Sequence, residues 1–266
     1  MIYTLVDFDG QHAADQTLLI RIGPHENALA VLDDEQQLQF AATYNPEQVE
    51  KAIQDILDLG FGKVKMAVSD SRYTFVPADV FDEAYMHTYV RYLPGDGVAK
   101  PVLTDIRPLN IKLLHQTSRI GVEAMEARFP QLYTCPTVQT LLYGVANHDR
   151  SLNEPLLFID KHALRITICF FDAQKLIYSN DFEIDHPDNL TYYLLTVLSH
   201  LGLGDTAPLL CLSGDIEEGD PYYERASTYG RVVLADSGAL TGVGVPMDFV
   251  AHQHRFLTLL GLNLCG

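Results

Sequence analysis

The chain has 266 residues, 35 acidic against 18 basic, and a formal net charge of −17. A chain of this length buries roughly three quarters of its unfolded surface, enough for two modest domains without a metal or disulfide staple. The acidic field repels phosphate backbones and anionic headgroups and the basic residues are scattered singly, which argues against nucleic acid as a partner.

No apolar run reaches the roughly 18 residues of a membrane span, so no membrane insertion is expected. The first eleven residues carry acids, no basic residue and no small-residue cleavage pattern, unlike a secretory signal. Cys135, Cys169, Cys211 and Cys265 are far apart and none forms a ligand-spaced pair. They read as reduced thiols in a cytoplasmic protein.

In chain order, Thr17 to Ile22 and Asn27 to Leu32 flank the turn Gly23-Pro24-His25-Glu26 and read as a hairpin. Gln37 to Thr43 makes a third strand. Val49, Ala52, Ile53, Ile56 and Leu57 then fall on one helical face, with Asn45 as the expected N-cap, Pro46 at the first helical position and Gly60 as the left-handed stop. The strand Val64 to Val68 follows. Beyond it the pattern predicts a helix around Ala78 to Tyr92, a surface loop at Pro94 to Pro101, a strand near Ile111 to His115, a helix starting at the cap Ser118, and another after Pro136.

The order then repeats. Leu156 to Ile159, Leu164 to Phe171 and Lys175 to Phe182 are three strands, Leu190, Tyr193, Leu194, Val197, Leu198 and Leu201 a helical stripe, and Leu209 to Leu212 a strand buried on both faces. Asn45-Pro46 corresponds to His186-Pro187, Leu59-Gly60-Phe61-Gly62 to Leu201-Gly202-Leu203-Gly204, and Ser69 to Ser213. The nearly constant, long offset implies two copies of one domain, divided at 1–150 and 151–266, with the boundary in the polar stretch Asn147 to Pro155. A helix near Tyr222 to Tyr229, the strand Arg231 to Ala235 and a last helix from Met247 to about Leu262 complete the second copy. The expected fold is therefore α/β: two tandem ribonuclease H-like units, each a mixed five-stranded sheet in βββαβαβα order, as in actin, sugar kinases and heat-shock chaperones.

Three stretches carry a closer likeness: Arg72-Tyr73-Thr74-Phe75-Val76-Pro77, Tyr178-Ser179-Asn180-Asp181-Phe182 running on to Asn189-Leu190-Thr191-Tyr192-Tyr193-Leu194-Leu195, and His254-Arg255-Phe256-Leu257-Thr258-Leu259 with Cys265. With these the chain resembles, over nearly its whole length, the bacterial family catalogued as domain of unknown function 3822. The resemblance implies an actin-like ATPase fold, similar to the cytoplasmic actin-like domains of pilus-assembly and type II secretion proteins. It brings no activity and no catalytic residue.

Chemistry is sought where actin-like ATPases hold a nucleotide. In the first hairpin Arg21 stands where a metal-binding Asp is expected, and Pro24 has no N–H to offer a phosphate. In the second hairpin Asp160 is a possible metal carboxylate, but Lys161 and His162 occupy places where close backbone approach needs glycine. The end of the buried strand, Ser213-Gly214-Asp215, is the best candidate for a nucleotide, because ligands bind at the carboxyl ends of strands in open α/β sheets. Ser237 to Gly244 adds a glycine-rich neighbour. The first-copy counterpart, Val68-Ser69-Asp70-Ser71, lacks the glycine. His252 and His254 on a helix project roughly 200° apart and cannot share a metal.

Asp160, Ser213, Gly214 and Asp215 are thus the candidate nucleotide residues at a cleft between the units, with ATP and Mg²⁺ possible by fold analogy only. Neither catalytic nor metal residues are assigned. The degraded hairpins favour a noncatalytic module that binds another protein or self-associates, with an atypical nucleotide-binding ATPase or kinase-like enzyme as the alternative. The tyrosines Tyr85, Tyr89, Tyr92, Tyr192, Tyr193, Tyr222 and Tyr223, in a chain without tryptophan, suit core edges or an interface.

Overall fold

The computed structural model of the protein describes residues 2–4, 8, 10–69, 71–93, 100–119, 121–147, 155–203 and 208–266. The chain divides into two compact units. Unit 1 comprises Met1–Asn147, Gly238–Val250 and Thr258–Gly266; unit 2 comprises His148–Ser237 and Ala251–Leu257. Residues 94–99 of the loop expected at Pro94 to Pro101, the middle of the expected boundary stretch, Asp70 and Gly204 lie outside the described residues.

Unit 1 begins with β1 (Ile2–Thr4), β2 (Thr17–Ile22), β3 (Asn27–Leu32) and β4 (Leu38–Tyr44), then α1 (Lys51–Leu57) and β5 (Lys63–Val68). An inserted segment follows: β6 (Ser71–Pro77), two short 3₁₀ turns, α2 (Met86–Val90), β7 (Val102–Ile106) and β8 (Ile111–Thr117). The unit continues with α3 (Val122–Arg128), β9 (Tyr133–Pro136) and α4 (Thr137–Ala146). The main sheet has the order β1-β4-β3-β2-β5-β9, with β2 parallel to β5 and β5 parallel to β9. One face carries a core of Leu18, Ile20, Leu29, Val31, Met66 and Val68 under Ile53, Ile56 and Leu57 of α1. Each fully buried side chain of that kind contributes about 1.5–3 kcal/mol relative to exposure.

Unit 2 repeats the order. It has β10 (Leu156–His162), β11 (Arg165–Asp172), β12 (Lys175–Glu183), α5 (Pro187–His200), β13 (Leu209–Gly214), α6 (Pro221–Ser227) and β14 (Arg231–Leu234). Its sheet order is β12-β11-β10-β13-β14, and β10 runs parallel to β13 as β2 does to β5. Leu157, Ile159, Ile166, Ile168, Leu210 and Leu212 pack under Leu190, Leu194, Val197 and Leu198 of α5.

The local signals of the second copy act as expected. His186 caps α5 by accepting from Asp188 N, Asn189 closes the reciprocal half of the capping box, and Pro187 occupies the first turn. The helix ends in a Schellman motif: Gly202 sits at φ 69°, Leu203 N donates to Leu198 O at 2.9 Å and Gly202 N to Ser199 O at 3.2 Å.

The first copy departs from expectation. Asn45 forms an Asx turn, accepting from Glu47 N at 2.8 Å, so α1 starts only after Glu50, and it ends at Asp58 rather than at Gly60. Ala52 is exposed. The helix expected over 78–92 is broken because Asp82 accepts from Ala84 N at 2.9 Å and restarts the chain there. The strand at 111–117 belongs to a separate antiparallel sheet, β6-β8-β7, and the next strand of the main sheet is β9. Helix α3 begins after Gly121 at φ 76°, which stands at the N-cap position expected of Ser118. The final helix is a 3₁₀ segment Val250–Phe256, one α turn Leu257–Leu260 and a second 3₁₀ segment Gly261–Leu264.

The chain end is anchored in unit 1 by a buried cation. Lys65, in strand β5 between β2 and β9, is 3% exposed. Its Nζ donates to Leu262 O at 3.1 Å, to Asn263 O at 3.3 Å and to Cys265 O. Burial, with Lys63 alongside, pushes its pKa down to about 8, so at neutral pH the ammonium is charged and the bonds are charge-assisted. Thr140 Oγ1 adds a 2.6 Å bond to Thr258 O. Lys65→Met keeps the stem but removes every donor. It is expected to cost about 2–4 kcal/mol and to raise hydrogen exchange across residues 258–265, read by denaturant unfolding and mass spectrometry.

In the inserted sheet His115 is 5% exposed and lies between Thr104 Oγ1 (3.3 Å) and Thr117 Oγ1 (3.2 Å). Burial pushes its pKa down to about 4. Between pH 6.5 and 4 the unfolded chain therefore binds a proton that the folded one refuses, and stability falls as pH drops through that window. The loss attributable to His115 should reach about 3 kcal/mol near pH 4, and His115→Gln should remove this component from the pH profile of the unfolding midpoint.

Candidate functional site

The parallel pairing of β10 with β13 sets Asp160 opposite Ser213 and Lys161 opposite Gly214. Asp160 is 4% exposed and Ser213 fully buried. Ser213 Oγ donates to Asp160 Oδ1 at 2.5 Å, and His162 Nε2 lies 3.3 Å from Asp160 Oδ2. Gly214 is at φ 82°, and a Cβ built there would stand 1.9 Å from Lys161 O. Only glycine permits that approach, which lets Asp215 N donate to Lys161 O at 2.7 Å.

Asp215 closes the next turn. Its Oδ2 accepts from Ala163 N at 2.9 Å, and Ala163 holds the β10–β11 hairpin at φ 49°, a left-handed conformation that a non-glycine residue adopts at a cost. Arg255 then spans the loop, with Nη1 at 2.7 Å from Glu217 Oε1 and Nη2 at 3.4 Å from Asp215 Oδ1. His254 bonds the Ile216 backbone, and burial and the adjacent Arg255 push its pKa down. Lys161 Nζ donates to Ala163 O at 3.2 Å and lies 4.7 Å from the ring centre of Tyr222.

The four sequence-predicted residues thus converge within unit 2, and the structure assigns each a partner from the same unit. Sequence reasoning did not find Ala163, Tyr222 or Arg255 as their partners. His254-Arg255 stood out only as a family-like ending, and neither its spacing nor its charge pointed to the loop at Gly214. His252 is exposed and His254 buried, consistent with opposite projection.

The equivalent place in unit 1 is built from different chemistry. Arg21 is the fifth residue of β2 and pairs with Ala67 of β5, as Asp160, fifth in β10, pairs with Ser213. Its guanidinium is buried and its Nη2 is 3.1 Å from Glu26 Oε1 across the turn. Gly23 N donates to Asn27 Oδ1 at 3.1 Å, and Pro24 has no N–H, so half of the turn's backbone offers nothing to a phosphate. Ser69 N donates to Ile22 O at 2.9 Å and Ser69 Oγ accepts from Thr137 Oγ1 at 3.2 Å.

A phosphate-bound Mg²⁺ needs carboxylate or water oxygens free to coordinate. Arg21 cannot supply one, and Asp160 has Ser213 Oγ bonded to Oδ1 and His162 Nε2 at 3.3 Å from Oδ2. The two strand ends therefore do not offer a matched pair of carboxylates.

Because Gly214 is required by both dihedral angle and contact, Gly214→Ala should destabilise by about 3 kcal/mol or more. Gly202→Ala, also at positive φ but with open space around its Cβ position, should cost only about 1 kcal/mol. The two unfolding midpoints, measured side by side, test this ranking.

The fold has clear counterparts among solved structures. A Bacteroides thetaiotaomicron protein with an actin-like ATPase fold and unknown function superposes with TM-score 0.72 at 15% identity, over 97% of this chain and 99% of that one. A chain of the PilM–PilN type IV pilus biogenesis complex superposes with TM-score 0.67 at 16% identity, covering 93% and 97%. A sequence search of curated proteins found no match. The architecture is that of the actin-like ATPases, two ribonuclease H-like units in tandem. The model of the DUF3822 family, described as protein of unknown function, matches residues 6–233, and the chain belongs to that family.

Proposed function

We propose that this protein is a noncatalytic actin-like module that binds another protein or pairs with itself. The observation that carries the reading is Arg21. At the end of the strand where the first phosphate hairpin needs a metal-binding carboxylate, a buried guanidinium is neutralised by Glu26. The knot around Asp160 and Asp215 supports the same reading, since their hydrogen bonds hold two turns in shape. The PilM chain with the same fold is found in a complex with PilN, so this architecture is compatible with a place in an assembly. Among the described residues no helix is long and apolar enough to cross a membrane.

The alternative is an atypical nucleotide site at Asp160, Ser213, Gly214 and Asp215. The observation in its favour is a buried acidic residue beside a glycine at the carboxyl end of a parallel strand pair. A thermal-shift titration with ATP and Mg²⁺ separates the two. Ligand at 100 times its dissociation constant stabilises by about 2.7 kcal/mol, a shift of several degrees. The expected result is no shift at millimolar ATP, for the native chain and for Asp160→Asn alike. A shift in the native chain that Asp160→Asn abolishes would replace the present reading with the nucleotide one.

A further inference from the structure

The two units end their sheets differently. In unit 1 the outer edge of β4 is covered by β1, antiparallel, with Ile2 opposite Ala42 and Thr4 opposite Phe40. In unit 2 the corresponding strand β12 is the outermost of its sheet, and among the described residues it pairs only with β11. At nine residues it leaves a long row of backbone donors and acceptors open, whereas the opposite edge, β14, has four.

The open edge is self-complementary. From Tyr178 to Glu183, β12 runs in unbroken register with β11, the irregularity falling at Ile177. Laid antiparallel on a second copy about Asn180, it sets Tyr178 against Phe182 twice and Ser179 against Asp181 twice. The Lys175 end of each strand then lies beside Glu183 and Asp185 of the other. Aromatic and opposite-charge neighbours of this kind favour a strand pair. An aromatic row backs the same edge: Phe182 stacks on Tyr193 at 4.3 Å, and Tyr193 meets Tyr192 edge-on at 5.4 Å. Tyr192 is 66% and Ile177 53% exposed.

We propose that β12 is a self-pairing edge through which two copies join antiparallel over Tyr178–Phe182, about a twofold axis at Asn180, fusing two unit 2 sheets into one. This rests on the interaction-module reading and names its partner as a second copy. The twofold register selects that partner, because each half of the strand supplies what the other half needs. Each chain carries −17, so the contact works against long-range repulsion that salt screens, and pairing should tighten as ionic strength rises.

Sedimentation of the full chain over a range of concentration and salt tests this. The expected result is a dimer of the 29.7 kDa chain. Asn180 is exposed, so Asn180→Lys should fold normally, checked by its circular dichroism and unfolding midpoint, while placing two ammonium groups face to face. It should weaken dimerisation by roughly tenfold or more. Asn180→Cys, treated with copper–phenanthroline, should form a covalent dimer; Val233→Cys on the β14 edge should not, and the four native cysteines are buried. A native chain that stays monomeric overturns the proposal. So does a dimer that Asn180→Lys leaves intact and Asn180→Cys does not lock, although that outcome leaves the interaction-module reading standing. That reading fails separately, through an ATP-dependent shift that Asp160→Asn abolishes.

Discussion

The parallel pairing of β2 with β5 in unit 1 and of β10 with β13 in unit 2 is the constraint on which the candidate site depends. It is fixed by apolar faces: Leu18 and Ile20 with Val64 and Met66 in unit 1, Leu157 and Ile159 with Leu210 and Leu212 in unit 2. These strands are buried on both faces, so packing from two sides holds their pairing. The strand ends are therefore delivered side by side whatever residues they carry. Arg21 beside Ala67 and Asp160 beside Ser213 are two chemistries on one scaffold. The fold holds a place for phosphate chemistry without requiring that the chemistry be there.

The residues at the strand ends have partners close by in their own unit. Asp160 is engaged by Ser213 and His162, Asp215 by Ala163 N and Arg255, Lys161 by Ala163 O and the Tyr222 ring, Arg21 by Glu26. Removing one member of a buried, hydrogen-bonded charge set leaves the others uncompensated, which costs several kcal/mol. A ligand recruiting Asp160 would have to supply at least what Ser213 and His162 already provide. Gly214 stands on the same side of the argument. Its glycine character is explained by the carbonyl of Lys161 within its own unit, with no need for a ligand.

Legibility in the sequence follows the reach of each interaction. In the second copy the signals are local and mutually consistent: His186 and Asn189 form the box, Pro187 fits the first turn, and Gly202 takes the left-handed stop. In the first copy Asn45 and Pro46 have the same appearance, but the Asn45 side chain bonds Glu47 N and makes a turn; nothing in the dipeptide distinguishes the two outcomes. The inserted sheet stayed hidden because its strands pair over long separations, Ser71 to Pro77 with Ile111 to Thr117. At the site, the convergence of Asp160 with Ser213 to Asp215 was readable from the repeat itself. Arg255 and Tyr222 were not, because they arrive from elements that follow, and the family-like stretch around Arg255 did not point to the loop at Gly214.

Divergence between the copies extends beyond the strand ends. Unit 1 has its β4 edge covered by β1, and Tyr3 of that strand donates to Asp248 Oδ1 and packs on Phe249 at 4.7 Å, both from the returning segment of the chain. Its strand β5 is tied to the segment 262–265 through Lys65. Of these additions β1 covers a sheet edge that would otherwise expose backbone groups. Unit 2 keeps the three-stranded meander and its helix but gains no strand over β12 among the described residues. An uncovered edge is ordinarily blunted by brevity, charge or proline. The run from Tyr178 to Phe182 has neither brevity nor proline, and its one acid, Asp181, is held by Thr167 Oγ1 at 2.7 Å. The copy with an aspartate at its first strand end is also the one whose outer strand β12 has no further strand over it among the described residues, and on the proposed reading the strand side carries the contact.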